Sequence, residues 1–125
     1  MSETKSCYEM HCHHAETEKI LHLLPSDAAC VEAADISSQL CDPTRLRILW
    51  VLAHTEECVN NIAIAVDMST SAVSHHLRNL RQAGFIINRR SGKEIYYKLA
   101  DTPAARLLHT MIDDVFEMTC PGSNP

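Results

Sequence analysis

Ser69-Thr70-Ser71-Ala72-Val73-Ser74-His75-His76-Leu77-Arg78-Asn79-Leu80-Arg81-Gln82-Ala83-Gly84 is the stretch whose reading decides the fold. Ser69 or Thr70 offers a hydroxyl that can accept a hydrogen bond from a free backbone N–H of a first helical turn. Gly84 can take the left-handed conformation that ends a helix. Between them the spacing predicts a helix over about 71–83. Val73, Leu77 and Leu80 share one face of it. At ~100° per residue, Ser71, Ser74, His75, Arg78, Arg81 and Gln82 fall on the other. Hydroxyl, imidazole, guanidinium and amide groups on an outward face are the groups that bond base edges in a major groove.

Upstream, Val59, Ile62, Ala63 and Val66 give the apolar stripe of a shorter helix over about 58–66, and Asp67-Met68-Ser69 reads as a tight turn. Downstream, Phe85-Ile86-Ile87-Asn88 and Glu94–Leu99 are rich in β-formers and flank Arg89-Arg90-Ser91-Gly92-Lys93, which predicts a hairpin with a basic tip. Two short helices around a tight turn, followed by a basic hairpin, make a winged helix-turn-helix. In that arrangement Arg89, Arg90 and Lys93 ride on phosphates and the neighbouring minor groove, giving affinity rather than sequence choice. The charge agrees. The chain is -5 overall, yet residues 69–99 hold six basic residues against Glu94 alone, so a basic patch sits on an acidic body.

The fold class expected is therefore mainly α with a small β-hairpin, with double-stranded DNA as partner. The remaining elements follow from caps and periodicity. A short helix over about 15–24 is stopped by Pro25; Ser26 or Asp27 then starts a helix to about Leu40, with Ala29, Val31, Ala33, Ala34, Ile36 and Leu40 available for burial. Asp42-Pro43 opens the next helix, whose buried stripe is expected at Leu46, Leu49, Trp50 and Ala53. His54–Glu57 reads as a connection. Thr102-Pro103 begins a last helix to about Thr119, with Leu108, Met111, Ile112 and Val115 on one stripe. The domain reading is an arm and short helix over 1–24, a DNA-binding and dimerisation domain over 25–120, and a disordered tail over 121–125.

At 125 residues and 46% hydrophobic, the chain holds one modest core, and three glycines with 5% aromatics speak against sandwiches and barrels. No apolar run approaches the ~18 residues of a membrane span, and Met1–Met10 lacks the apolar segment of a secretory signal. A cytoplasmic protein with no membrane partner is expected. Six cysteines beside eight histidines in a reducing compartment then point to a soft or borderline metal or to thiol redox chemistry. No Ser-His-Asp, Cys-His or paired-acid arrangement is visible, so neither an enzyme nor a small organic substrate is expected.

Leu40–Leu49, Ser71–Arg81 and the Gly92–Tyr97 strand closely resemble the ArsR/SmtB family of metal-sensing repressors, over about residues 28–118. The resemblance implies a homodimer of winged helices that binds an operator when metal-free and leaves it when metal binds. It also implies that the last helix and the first long helix form the dimer interface, which would suit Leu108–Val115.

The metal site implied resembles that of cadmium- and lead-sensing CadC-like members, where arm cysteines meet cysteines at the start of the first helix of the pair. Here Cys58 fits one position and Asn60 replaces the second thiol. The arm Cys7-Tyr8-Glu9-Met10-His11-Cys12-His13-His14 supplies Cys7, Cys12 and an imidazole from His11 or His13, with His14 a further possibility. Three thiolates and one imidazole make a tetrahedron suited to Zn(II), with Cd(II) or Pb(II) as the other ions. In zinc-sensing relatives a second site lies on the last helix. Asp101 and Glu117 match it, but Pro103 and Asp114 stand where the family has histidines, leaving Asp101, Asp114 and Glu117 as a weaker carboxylate set. His109, Asp113 and Glu117 also share one helix face, for which solvated polar residues are the plainer explanation. Cys30 and Cys41 are expected to be packed, and Cys120 to face solvent. The alternatives are a thiol-based redox- or arsenite-sensing repressor of the same fold and, from another class, a metal buffer or chaperone.

Overall fold

The computed structural model describes residues 14–122. They fall into two compact units, one up to Ala33 and one from Ala34 onward. The first contains α1 (His14–Leu21) and the start of α2 (Asp27–Ser38). Ser26 is the cap of α2, its Oγ accepting from the N–H of Ala29 at 3.1 Å. The α1 helix stops at Leu21, and Leu23 and Leu24 follow in a turn closed on Ile20 and Leu21. The burial expected on α2 is corrected. No residue of it is fully buried, Ala29, Val31, Ala33 and Ala34 are exposed, and only Ile36 and, beyond the helix, Leu40 pack against the core. Small alanines all round a helix carry no stripe strong enough to fix a buried face.

The second unit is the winged domain. Asp42 and Pro43 start α3 (Pro43–His54) as expected, with Asp42 Oδ2 accepting from the Arg45 N–H at 2.8 Å. The Arg45 side chain turns back to donate to the carbonyls of Gln39 and Ser38, both at 2.9 Å, satisfying acceptors left over at the end of α2. The buried residues of α3 are Ile48, Leu49 and Leu52. Of the stripe expected there, only Leu49 is fully buried, while Leu46, Trp50 and Ala53 pack at the edge of the core. The reason is that α3 is contacted from several sides, by α4 (Val59–Val66), β3 (Glu94–Leu99) and α6 (Pro103–Thr119), so its buried arc is centred on Ile48 and Leu52.

The helix pair is α4 and α5 (Thr70–Gln82). Ser69 caps α5, its Oγ accepting from Ala72 N–H at 3.1 Å, and Val73, Leu77 and Leu80 are buried as expected. Both helices end in the same left-handed closure. Asp67 (φ 57°) and Gly84 (φ 86°) hold the left-handed position, and the residues after them, Met68 and Phe85, bond back to Ala63 and Leu80 at 3.0 Å each. That closure at Asp67 fixes the angle between the two helices.

The wing is β2 (Ile86–Ser91) and β3, paired antiparallel from Ile86↔Leu99 to Ser91↔Glu94. Its turn is only Gly92-Lys93, with Gly92 at φ 64°. Arg89 and Arg90 therefore stand on the strand, and only Lys93 is at the tip, which corrects the longer basic tip of the sequence reading. A third strand, β1 (Glu57–Cys58), lies on the other edge, giving the order β1-β3-β2 with Cys58 opposite Tyr96. The sequence reading placed a connection there.

Thr102 caps α6, its Oγ1 accepting from Ala105 N–H at 3.1 Å, with Pro103 in the first turn. Leu108 and Ile112 are fully buried in the core of the protomer. They are thus not available as interface, contrary to the role expected of the Leu108–Val115 stripe. The apolar side chains α6 leaves outward are Leu107 (49% exposed), Val115 (38%) and Met118 (81%).

Candidate nucleic-acid interface and metal centre

The outward face of α5 carries Ser71, His75, Arg78, Arg81 and Gln82 exposed and Ser74 half-buried, opposite the buried Val73, Leu77 and Leu80. The face is rigidly backed, so its side chains are presented from a fixed element. Asn79, not singled out in the sequence, belongs with them: its Nδ2 lies 3.3 Å from His75 Nε2, an i,i+4 pair on the exposed surface. Arg90 and Lys93 are exposed on the wing.

Arg89 has a partner within the chain. Its Nε and Nη2 donate to the two carboxylate oxygens of Glu56 at 2.8 Å each, and its guanidinium lies 5.3 Å from the ring centre of Tyr96. Reaching a phosphate would require giving up that fork. The hydrogen bond from Arg89 holds the Glu56 carboxyl below its ordinary value of 4.5; burial opposes this, and the charges of Arg89 and Lys98 add to it. The same bond raises Arg89. A carboxylate depressed on folding stabilises the fold above its ordinary value, and that contribution is lost as pH falls through the depressed one. On lowering pH below about 4.5, the stability of the native chain should therefore fall more steeply than that of Glu56→Gln. The gap should shrink in high salt, because the pair is exposed. Identical acid-denaturation profiles for the two proteins would remove the pair from the account.

Of the expected metal ligands, Cys7, His11, Cys12 and His13 lie outside the described residues. Cys58 is buried, 6% exposed, at the N-cap of α4. Its sulfur plays no part in capping: the backbone N–H of Cys58 is bonded instead by Glu57 Oε2 at 3.1 Å, which also accepts from Asn61 at 2.8 Å. Cys30 and Cys41 are exposed free thiols, which corrects the packing expected for them, and Cys120 is exposed. Asp101 is bonded by Arg106 at 2.5 Å, and Asp114 and Glu117 are exposed. Asp101, Asp114 and Glu117 do not come together as a set. Among the described residues, the donors that do are His54, His109 and Asp113, whose ligand atoms lie within 4.8 Å of one another. From sequence His54 reads as part of a connection, and no spacing rule links it to His109 and Asp113, more than fifty residues further on.

A helix pair with a polar outer face, backed by one core and flanked by a two-stranded wing, defines a winged helix-turn-helix regulator. Residues 42–88 match the family described as bacterial regulatory protein, arsR family. The chain is 42% identical over 86 residues to the "Transcriptional repressor SmtB homolog" of Synechocystis sp., covering 69% of this chain and 65% of that protein, just under two thirds of its length. It is 42% identical over 89 residues to the "HTH-type transcriptional regulator NmtR" of Mycobacterium tuberculosis, covering 71% and 73%. In three dimensions it is similar to the homodimeric winged helix-turn-helix DNA-binding domain of Mb0332 from Mycobacterium bovis, with TM-score 0.63, 33% identity, and coverage of 76% of this chain and 91% of that one. The chain belongs to the ArsR/SmtB family of metal-sensing helix-turn-helix repressors, which are regulators and not enzymes. Operator binding and dimerisation are typical of that family. No helix among the described residues is long and apolar enough to cross a membrane.

Proposed function

We propose that this protein is a cytoplasmic repressor that binds its operator as a metal-free homodimer and releases it on taking up Zn(II), with Cd(II) or Pb(II) as the other ions its thiols suit. The observation that carries the reading is the exposed polar face of α5 beside the basic wing, in a chain of this family whose arm holds five thiols and imidazoles in eight positions. Base choice falls to Ser71, Ser74, His75, Arg78, Arg81 and Gln82. Arg90 and Lys93 supply phosphate contacts, and Arg89 joins them on giving up its fork to Glu56.

Cys7, Cys12 and Cys58 with His11 or His13 would hold the inducing ion. Their chemistry fits: the Cys58 sulfur is not spent on capping α4, and thiolate with imidazole is the set that Zn(II) and Cd(II) prefer. When bound, the ion supplies directed bonds that tie the arm to the start of α4. The regulation is linkage: a ligand held more tightly by the conformation with low DNA affinity lowers operator affinity by the same factor.

The test is a fluorescence titration of operator duplex against a metal panel, with bound ion counted per chain. Cys58→Ser and the paired Cys7→Ser/Cys12→Ser chain should bind DNA as the native chain does and fail to release it with metal. Normal release by both would remove the arm and Cys58 from sensing.

A further inference from the structure

We propose that His54, His109 and Asp113 form a metal site separate from the arm and Cys58, taking a divalent ion of the borderline class such as Zn(II), Co(II) or Ni(II) through two imidazoles and one carboxylate. None of the three stands at a position that the family resemblance marks for the last-helix site, which falls on Asp101, Pro103, Asp114 and Glu117. The site joins the C-terminal end of α3 to the middle of α6.

Geometry is the first argument. His54 Nε2 lies 3.2 Å from Asp113 Oδ1, and His109 Nε2 lies 3.5 Å from Asp113 Oδ2. Bonds of ~2.0–2.1 Å to zinc set tetrahedral ligand atoms ~3.4 Å apart, so these separations already match an ion's needs. The two imidazole rings meet edge to face at 77°, with centres 5.6 Å apart, and the three ligand atoms lie within 4.8 Å of one another.

The second argument is the proton on His54. Its Nδ1 lies 2.8 Å from the carbonyl oxygen of Trp50. A carbonyl only accepts, so Nδ1 carries a proton, and in the neutral ring Nε2 then bears the lone pair. That lone pair is aimed at a carboxylate oxygen 3.2 Å away. A cation held between that nitrogen and the carboxylate, whether a proton or a metal ion, bonds to both. Donation from the far ring nitrogen to a backbone carbonyl is also the arrangement that orients a metal-binding histidine and fixes its tautomer. The Trp50 ring packs against it at a tilt of 39°, with centres 4.4 Å apart.

Burial completes the case. The His54 side chain is 16% exposed and Asp113 43%, so the site has a fixed inner ligand and a solvent side open to ion and water. Arg106 lines the same shallow pocket, but its guanidinium is bonded to Asp101.

The test uses the full chain. With all six cysteines changed to Ser, Co(II) should still bind at one equivalent per chain, with weak d–d bands and no thiolate charge-transfer absorption. Zn(II) should raise the Tm of that chain. Adding His109→Asn, at a half-exposed position that tolerates the change, should weaken the Co(II) site by more than roughly 100-fold, beyond the 10–100-fold lost when a group bonded behind a ligand is removed. His54→Asn should do the same. Failure of the thiol-free chain to take up Co(II), or uptake unaltered by both histidine changes, overturns the site, and the trio is then an imidazole–carboxylate cluster with a structural role only. Operator release by His54→Asn/His109→Asn, which keeps the arm and Cys58, is measured separately and reports on the arm reading.

Discussion

Raising monovalent salt from roughly 50 to 200 mM should weaken operator binding by the metal-free dimer about 10³-fold, a log–log slope near -5 for ~6 phosphates neutralised. The cations come in two groups. Arg78 and Arg81 are exposed on α5, and Arg90 and Lys93 on the wing, so each protomer offers four that are not tied to Glu56. Three contacts from each give the slope. Within it the two groups separate by sequence: Arg78→Ala and His75→Ala should flatten the preference for operator over random duplex. Arg90→Ala or Lys93→Ala should weaken both duplexes alike and reduce the slope by about one for each phosphate lost per dimer contact. Arg89→Ala has a second consequence, since it also leaves Glu56 without its partner. A flat salt response would detach residues 69–99 from DNA binding altogether.

The largest effect on stability is expected at Leu77. It is 1% exposed in the middle of α5, within the core that also includes Ile62, Val66, Val73 and Leu80. Truncation to alanine removes three carbons' worth of transfer energy and leaves a cavity that two short helices cannot close, at a cost of about 2–5 kcal/mol. Domains of this size have roughly 5–15 kcal/mol in all. Leu77→Ala should therefore shift the urea midpoint strongly and destroy DNA binding by melting the element that reads it. Leu107→Ala on α6 is the contrast: at 49% exposed it should cost the protomer little, and any loss it causes should appear as a weaker dimer in sedimentation. Equal destabilisation by the two would contradict the division of α6 into a core face and an outward face.

The difference between those two leucines marks where the sequence could be read and where it could not. Local signals were legible. Asp42-Pro43, Ser69, Thr102 and Gly84 place helix ends where the hydrogen bonds put them, because a cap acts within three or four residues of its own position. Val73, Leu77 and Leu80 are buried because only one arc of α5 is apolar. On α3 and α6 apolar residues occupy more than one arc, so periodicity alone does not say which arc meets the core and which meets a partner chain. Leu52 and Leu108 went to the core, and Leu107 did not. The strand β1 is a dipeptide with no alternation to detect; pairing with Tyr96 and Tyr97 makes it a strand. The Arg89–Glu56 fork and the His54–His109–Asp113 cluster join residues distant in the chain. His109 and Asp113 could be seen together at i,i+4, but the third donor arrives only through packing.

Burial of Cys58 sets a clock on its chemistry. If Cys58 is a ligand, a residue 6% exposed at the start of α4 would meet an ion chiefly when that helix end opens. Capture through Cys58 thus has a ceiling: as ion concentration rises, its rate levels off at the opening rate of α4 and stops depending on the ion. Association at the proposed site, on the solvent-facing side of His109 and Asp113, would have no such gate and would rise in proportion to concentration. Stopped-flow traces of metal uptake should resolve into one phase that saturates and one that does not, so that a cell meeting a brief pulse of metal would be answered differently from one meeting a sustained supply.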